Sequence, residues 1–185
     1  MTITAPTRHA ATRDLQYDSV TIALHWATAG LVGLLWAIGQ TIDFAPNGAL
    51  RVDYRSLHML LGVALAGVFV ARVVWRLRRG RSLPGAGGAL MELVARLTHW
   101  VLYLLIAAAL VLGLANVWVR GDVIFNLFAV PAFDPTNKAF RTLIGGWHAL
   151  AANAILIVAG VHAAAALFHH FILRDGVLRR MLPMA

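Results

Sequence analysis

WHALAANAILIVAGVHAAAALFHHF, residues Trp147 to Phe171, is an uncharged run in which histidine occurs four times among alanine, glycine and branched aliphatics. A helix this apolar can cross a bilayer, whose hydrocarbon needs about 20 residues. An ionisable ring in hydrocarbon costs roughly 2.5 kcal/mol or more on insertion scales unless it is paired or lines a cavity. The four imidazoles therefore need partners, and the rest of the chain has to supply them.

Of the 185 residues, 60% are hydrophobic and 13% charged, and the mean hydropathy of +0.74 lies outside the range of soluble domains. Further apolar runs lie near residues 20–39, 57–75 and 97–117, and the quoted stretch belongs to a fourth near 143–171. The expectation is an all-α integral membrane protein, a four-transmembrane-helix bundle forming one domain over residues 1–185. The first run follows basic residues as a signal peptide would. Its length, the presence of His25 and Trp26, and the want of a small-residue cleavage site mark it as a retained span. Cysteine is absent, which excludes disulfides, iron–sulfur clusters and thiolate metal sites in this chain and leaves histidine as the strong nitrogen ligand.

A net charge of +8 would suggest nucleic acid in a soluble protein. Here the basic residues sit between the spans, so no nucleic-acid partner is expected and their distribution gives orientation instead. With four spans, both termini share a side with the loop RLRRGRSLPGAGGALMELVAR. That side carries Arg8, Arg13, Arg72, Arg76, Arg78, Arg79, Arg81, Arg96, Arg174, Arg179 and Arg180, against Arg51, Arg55, Arg120, Lys138 and Arg141 on the other. The positive-inside rule places both termini in the cytoplasm. Acidic residues split evenly between the faces, so the outer face is nearly neutral and any steering of an anion there must be local. Asp18 or Ser19 is the expected N-cap of the first helix. SLPGAGG reads as a flexible connector, and the second outer loop, RGDVIFNLFAVPAFDPTNKAFR, is expected to lie along the membrane surface.

Depth follows from this topology and a rise of about 1.5 Å per residue. His25 falls just inside the cytoplasmic end of the first helix, and His58 and His148 just inside the outer ends of the second and fourth. His162 follows His148 by fourteen residues, about 21 Å deeper and rotated only about 40°, so the two rings share one face at two depths. His58 is then expected to meet His148 at the outer level, and His25 to meet His162 at the inner level. Haem suits two such pairs, because two neutral imidazoles from facing helices can fill both axial positions of an iron inside a bundle. With both positions filled, the chemistry is one-electron transfer rather than oxygenation. Ala29, Gly62, Ala152 and Ala166, each four residues beyond one of these histidines, leave the ligand faces open for a flat macrocycle.

Arg72 follows His58 by fourteen residues, so it projects from the same helix face at the inner level, where a haem propionate could accept from it or where it could snorkel to the headgroups. His99, at the inner level of the third helix, competes with His25 on spacing alone. His169 and His170 lie at or past the edge of the hydrocarbon, and His9 lies in the polar tail. A single intramembrane histidine can also be interhelical glue, and small residues at this spacing can be plain packing positions. A histidine-lined metal-ion transporter fits less well, since the spans lack carboxylates and pairs of imidazoles complete no bare ion's shell.

The segments ALHW at 23–26, SLHMLLG at 56–62, VARVVWRL at 70–77, GWHALAAN at 146–153 and GVHAAAALFHHF at 160–171 resemble the bacterial cytochrome b561 family, closest to its superoxide oxidase branch. The similarity covers nearly the whole chain. It implies a bacterial inner-membrane protein whose four helices hold two non-covalent haem b groups (iron protoporphyrin IX), one on His25 and His162, one on His58 and His148, with His99 not a ligand. It also implies electron flow from periplasmic superoxide to ubiquinone, with His169 near the quinone. Arg51, Arg55, Arg120, Lys138 and Arg141 are the outer residues available to focus an anion on the outer haem edge. The alternative within the same fold is a haem-bearing electron relay for another redox partner protein, with the second outer loop as its docking surface.

Overall fold

The computed structural model describes residues 16–80, 83, 87–134 and 136–183. The N-terminal tail with Arg8, His9 and Arg13, and Arg81 of the inner loop, lie outside the described residues. Four helices carry the architecture: α1 (Ser19–Thr41), α2 (Ala49–Arg78), α3 (Ala89–Arg120) and α4 (Lys138–Phe168). All are long and apolar enough to cross a membrane. The 30 residues of α2 span about 45 Å at 1.5 Å per residue, more than the hydrocarbon needs, so its ends stand in the headgroup layers. The expected span 143–171 runs past α4 into a π turn, His169–Leu173.

Helix ends follow local chemistry. Asp18 is the N-cap of α1: one carboxylate oxygen accepts from the Thr21 amide at 2.9 Å, and the other accepts from the Thr21 hydroxyl at 2.6 Å. Asn137 caps α4 by accepting from the Phe140 amide at 3.0 Å. Gly121 ends α3 at φ +66°, and an added Cβ there would also stand 2.8 Å from Ala132 Cβ, so both backbone and space require glycine. The loop beyond it is not structureless. Val123–Ile124 (β1) and Phe128–Ala129 (β2) form an antiparallel hairpin, with Phe125 and Asn126 at positive φ in its turn. The fully buried Ser56 of α2 pins this hairpin by accepting from the Phe125 amide at 2.8 Å.

Packing is closest within two hairpins, α1 on α2 and α3 on α4, and sparse between them. Few apolar side chains are buried, among them Ile22, Leu35, Leu65, Ile106 and Ile155, whereas Val63, Leu104, Val111 and Ile157 are exposed on the outer surface. Lipid tails are as apolar as leucine, so burial gives no hydrophobic gain between helices and polar contacts must help hold them. Among the described residues each neighbouring pair of helices has at least one such contact. Trp75 of α2 donates to Asp18 at 2.9 Å, Arg72 of α2 donates to the Tyr103 hydroxyl of α3 at 2.9 Å, His148 of α4 bonds the Ala109 carbonyl of α3 at 3.0 Å, and Trp36 of α1 donates to Asn153 of α4 at 2.9 Å.

Asp18 thus serves two helices. Burial alone would raise its carboxyl, but hydrogen bonds from Thr21 and Trp75 outweigh that and hold its pKa below the ordinary carboxylate value. Because the folded pKa is depressed, this stabilisation is complete above the unfolded pKa and is lost as pH falls through the folded one. Asp18→Ala is expected to cost about 1 kcal/mol from the cap alone. Thermal unfolding in detergent should show a lower midpoint for the variant at pH 7 and a difference that shrinks on acidification below the carboxylate range.

Candidate metal centres

The structure brings the histidines together in two sets. At one end of the bundle the rings of His58 and His148 stand 6.1 Å apart, centroid to centroid, at an interplanar angle of 81°. At the other, His25 and His162 stand 6.3 Å apart at 69°. A metal midway between two imidazoles needs bonds of roughly 2.0–2.1 Å, and each nitrogen lies about 1.1 Å from its ring centre, so the centroids of an axial pair should be about 6.3 Å apart. Both pairs meet that requirement. Among the described residues no cluster of three or more histidine, cysteine, aspartate or glutamate side chains could hold a metal ion. A donor set of two suits a metal that brings its own equatorial ligands, as haem iron does.

His148 shows how a ring is aimed. Its Nδ1 bonds the Ala109 carbonyl, which can only accept, so Nδ1 carries the proton and Nε2 keeps its lone pair for a metal. One turn along α3, Gly113 leaves the ring room: an added Cβ there would stand 3.1 Å from His148 Cε1. Gly39 of α1 does the same for His58, with 3.4 Å to Cε1. Nδ1 of His58 and Nδ1 of His25 are buried without a hydrogen-bond partner among the described residues. Gly39, Gly113 and the Ala109 carbonyl escape a reading of the sequence, because each acts through a neighbouring helix.

His99 is also at the inner level, with its ring 5.2 Å from that of His162. This is closer than an axial pair permits, so His25 is the better-placed partner for His162. Arg72 lies fourteen residues beyond His58 on α2, which places it at the inner level. Its Nε donates to Tyr103, and its guanidinium carbon lies 5.4 Å from the centre of that ring. Tyr103 is a partner that spacing along α2 does not reveal.

The outer arginines divide. Arg51 donates to the Asp43 carbonyl at 3.1 Å and to the Ala45 carbonyl at 2.9 Å, so it braces the first outer loop. Arg55, Arg120 and Arg141 line a cavity of about 240 Å³ with Val52, Gly121, Asp122 and Val123. Three cations face one carboxylate there. Arg120 Nε lies 3.4 Å from Asp122, an ion pair by distance but not an aligned hydrogen bond, and Arg55 Nε has no hydrogen-bond partner among the described residues. Lys138 begins α4 and is exposed, away from that lining. At the opposite end, His169 Nδ1 contacts the Asp175 carboxylate, and His170 stacks edge-on with Phe171.

A family model described as prokaryotic cytochrome b561 matches residues 16–184. The chain is 31% identical over 172 residues to a probable superoxide oxidase of Yersinia pestis, covering 91% of this chain and 96% of that protein. It is 32% identical over 177 residues to cytochrome b562 of Cereibacter sphaeroides, covering 92% and 98%. A cytochrome b561 homologue of Escherichia coli is 29% identical over 171 residues, covering 91% and 97%.

Haem retention should depend on the room beside His148. Gly113→Ala is expected to displace that ring and lower the haem-to-protein ratio of the purified protein. Gly67→Ala, whose new Cβ would meet nothing within 4 Å, should leave the ratio unchanged.

Proposed function

The chain belongs to the prokaryotic cytochrome b561 family, and on that premise we propose that it is an inner-membrane di-haem cytochrome b passing electrons from periplasmic superoxide to ubiquinone. The observation that carries the reading is the pair of imidazole spacings, 6.1 Å and 6.3 Å, at the two ends of one bundle. Haem b bound between His58 and His148, and between His25 and His162, supplies a one-electron centre near each membrane face. With both termini cytoplasmic, the His58 level faces the periplasm.

The chain's own residues supply the rest. His148 is oriented from Ala109, and Arg72 would be the cation to hold a propionate of the inner haem. On the outer face, Arg55, Arg120 and Arg141 converge on one cavity and Asp122 offsets only part of their charge. Such a cavity concentrates a small anion locally although the face as a whole is nearly neutral. Superoxide is such an anion, and it cannot readily cross the membrane to find another acceptor. On the inner side, His169 stands at the membrane edge, where the headgroup of a lipid-soluble quinone would reach its ring. The net reaction balances as two superoxide, one ubiquinone and two protons giving two dioxygen and one ubiquinol.

A second reading keeps the haems and replaces superoxide by a redox partner protein that docks on the outer hairpin. It is supported by relatives named only as cytochromes and by the exposed apolar tip of that hairpin at Leu127 and Phe128.

The ligand pairs should separate by mutation. His58→Ala and His148→Ala are expected to remove one haem and spare the other, His25→Ala and His162→Ala to do the reverse, and His99→Ala to keep both. Spectral counting of haem in each variant decides this, and loss of the inner haem in His99→Ala would make helix α3 the ligand donor.

The kinetics should separate the two faces as well. Arg55→Gln with Arg141→Gln is expected to slow haem reduction by superoxide in stopped flow and to flatten its dependence on ionic strength, because steering acts on the encounter rate. His169→Ala should leave that phase intact and slow reoxidation by ubiquinone. Haems that stay oxidised with superoxide but reduce with a protein donor would favour the relay.

A further inference from the structure

The C-terminal end of α4 reverses rather than running out into the cytoplasm. After Phe168 the backbone widens into the π turn, Arg174 takes a left-handed φ of +53° and Gly176 one of +78°. Continued as a helix, residue 175 would lie about 9 Å beyond residue 169 and roughly 240° around the axis. The reversal instead returns it. The Asp175 amide donates to the His169 carbonyl at 3.4 Å, and the Asp175 carboxylate meets His169 Nδ1.

This segment is anchored at several points. The Val177 amide donates to the Asp175 carboxylate at 3.1 Å. Trp26 Nε1 of α1 donates to the Met181 carbonyl at 2.7 Å, and the Tyr17 amide donates to the Arg180 carbonyl at 3.1 Å. Residues 174–183 therefore cross the inner end of the bundle to the start of α1, the element that carries His25. The two side chains of the pair are half-buried, with 16% and 20% of their surfaces exposed. Burial would raise the Asp175 carboxyl, but the His169 ring, the Val177 amide and the nearby Arg180 charge together hold it below the ordinary carboxylate range.

We propose that Asp175 is a positioning residue for proton transfer from His169 to the quinone, an inference that rests on the quinone reading of His169. An ionised carboxylate only accepts, so the contact places a proton on Nδ1 and leaves Nε2 as the nitrogen that would meet the quinone. When the quinone oxygen has received an electron, the Nε2–H bond of the imidazolium breaks and an O–H bond forms on that oxygen. The ring is left neutral, with Nδ1–H still held by Asp175, and a proton taken up from the cytoplasm and carried through water returns to Nε2. Two such transfers accompany the two electrons that reduce one quinone. The carboxylate fixes the tautomer and keeps the ring from rotating, the orienting role a carboxylate plays behind histidine in other proton-transfer sites. The sequence shows Asp-Gly after HHFILR, a turn signal, but not that the turn brings residue 175 back to residue 169.

The test uses the full-length haem-loaded protein in nanodiscs with a short-chain ubiquinone, comparing superoxide-driven reduction and quinone-driven reoxidation in each sample. Asp175→Asn is expected to lower kcat for reoxidation by about tenfold to a hundredfold, with KM for quinone and the superoxide phase within about twofold. Asp175→Glu should recover most of the loss, and His169→Gln should lower kcat at least as far as Asp175→Asn. An equal fall in both phases, or no recovery with glutamate, would mean that Asp175 only braces the C-terminal segment, and the inference would fail. If His169→Gln slows reoxidation while Asp175→Asn does not, the pairing is overturned and the quinone assignment stands. If His169→Gln leaves reoxidation unchanged, the quinone assignment falls and the inference with it.

Discussion

Imidazole inside hydrocarbon is the constraint on which the rest of this structure depends. A histidine there is tolerated when its ring is held by a partner, and the bundle carries five at two levels. One nitrogen of His148 is satisfied by a carbonyl of the adjacent helix, whereas Nδ1 of His25 and Nδ1 of His58 find no hydrogen-bond partner among the described residues. The rings face each other at the separation of an axial pair, across the gap between two helix hairpins that pack closely within themselves and sparsely on each other. A group coordinated by both hairpins would join them, so in the proposed reading the cofactor is also a structural element.

Polar contacts between neighbouring helices complete the ring, and several lie next to the candidate sites. Arg72 donates to Tyr103 beside the inner histidines, His148 takes its orientation from α3, and Trp36 reaches Asn153 across the seam between α1 and α4. Between helices in lipid such bonds do work that apolar burial does in water. Stability and function are coupled here because one contact fixes both a helix pair and a ring. His148 is the clearest case, since removing its ring deletes a candidate ligand and a tie between α3 and α4 together.

The bundle was legible because its signals are local to each helix. Apolar runs of sufficient length define spans, and the fourteen-residue step from His148 to His162 places two rings on one face without knowledge of any neighbour. Pairing with His25 and His58 followed from topology and charge bias. What lay hidden depends on contacts between elements. Gly39 and Gly113 read as ordinary small residues until another helix lays an imidazole on them, and Tyr103 has no signature as a partner of Arg72. Spacing left His99 and His25 as rivals, and the short distance from His99 to His162 is a tertiary fact. The arginines of the outer face looked equivalent in sequence, yet Arg51 braces a loop while Arg55, Arg120 and Arg141 share a cavity, because helix ends and the hairpin turn decide which guanidinium points where. The same holds for Asp175, whose return to His169 requires a π turn and two left-handed residues.

The central claim is that each chain holds two irons, each between two imidazoles from different helices. Low-temperature electron paramagnetic resonance of the oxidised protein, quantified against haem and protein content, addresses it most directly. The account predicts two low-spin bis-imidazole ferric signals per chain and no high-spin signal. A single low-spin haem, or a high-spin signal showing an iron with an open axial position, would contradict it.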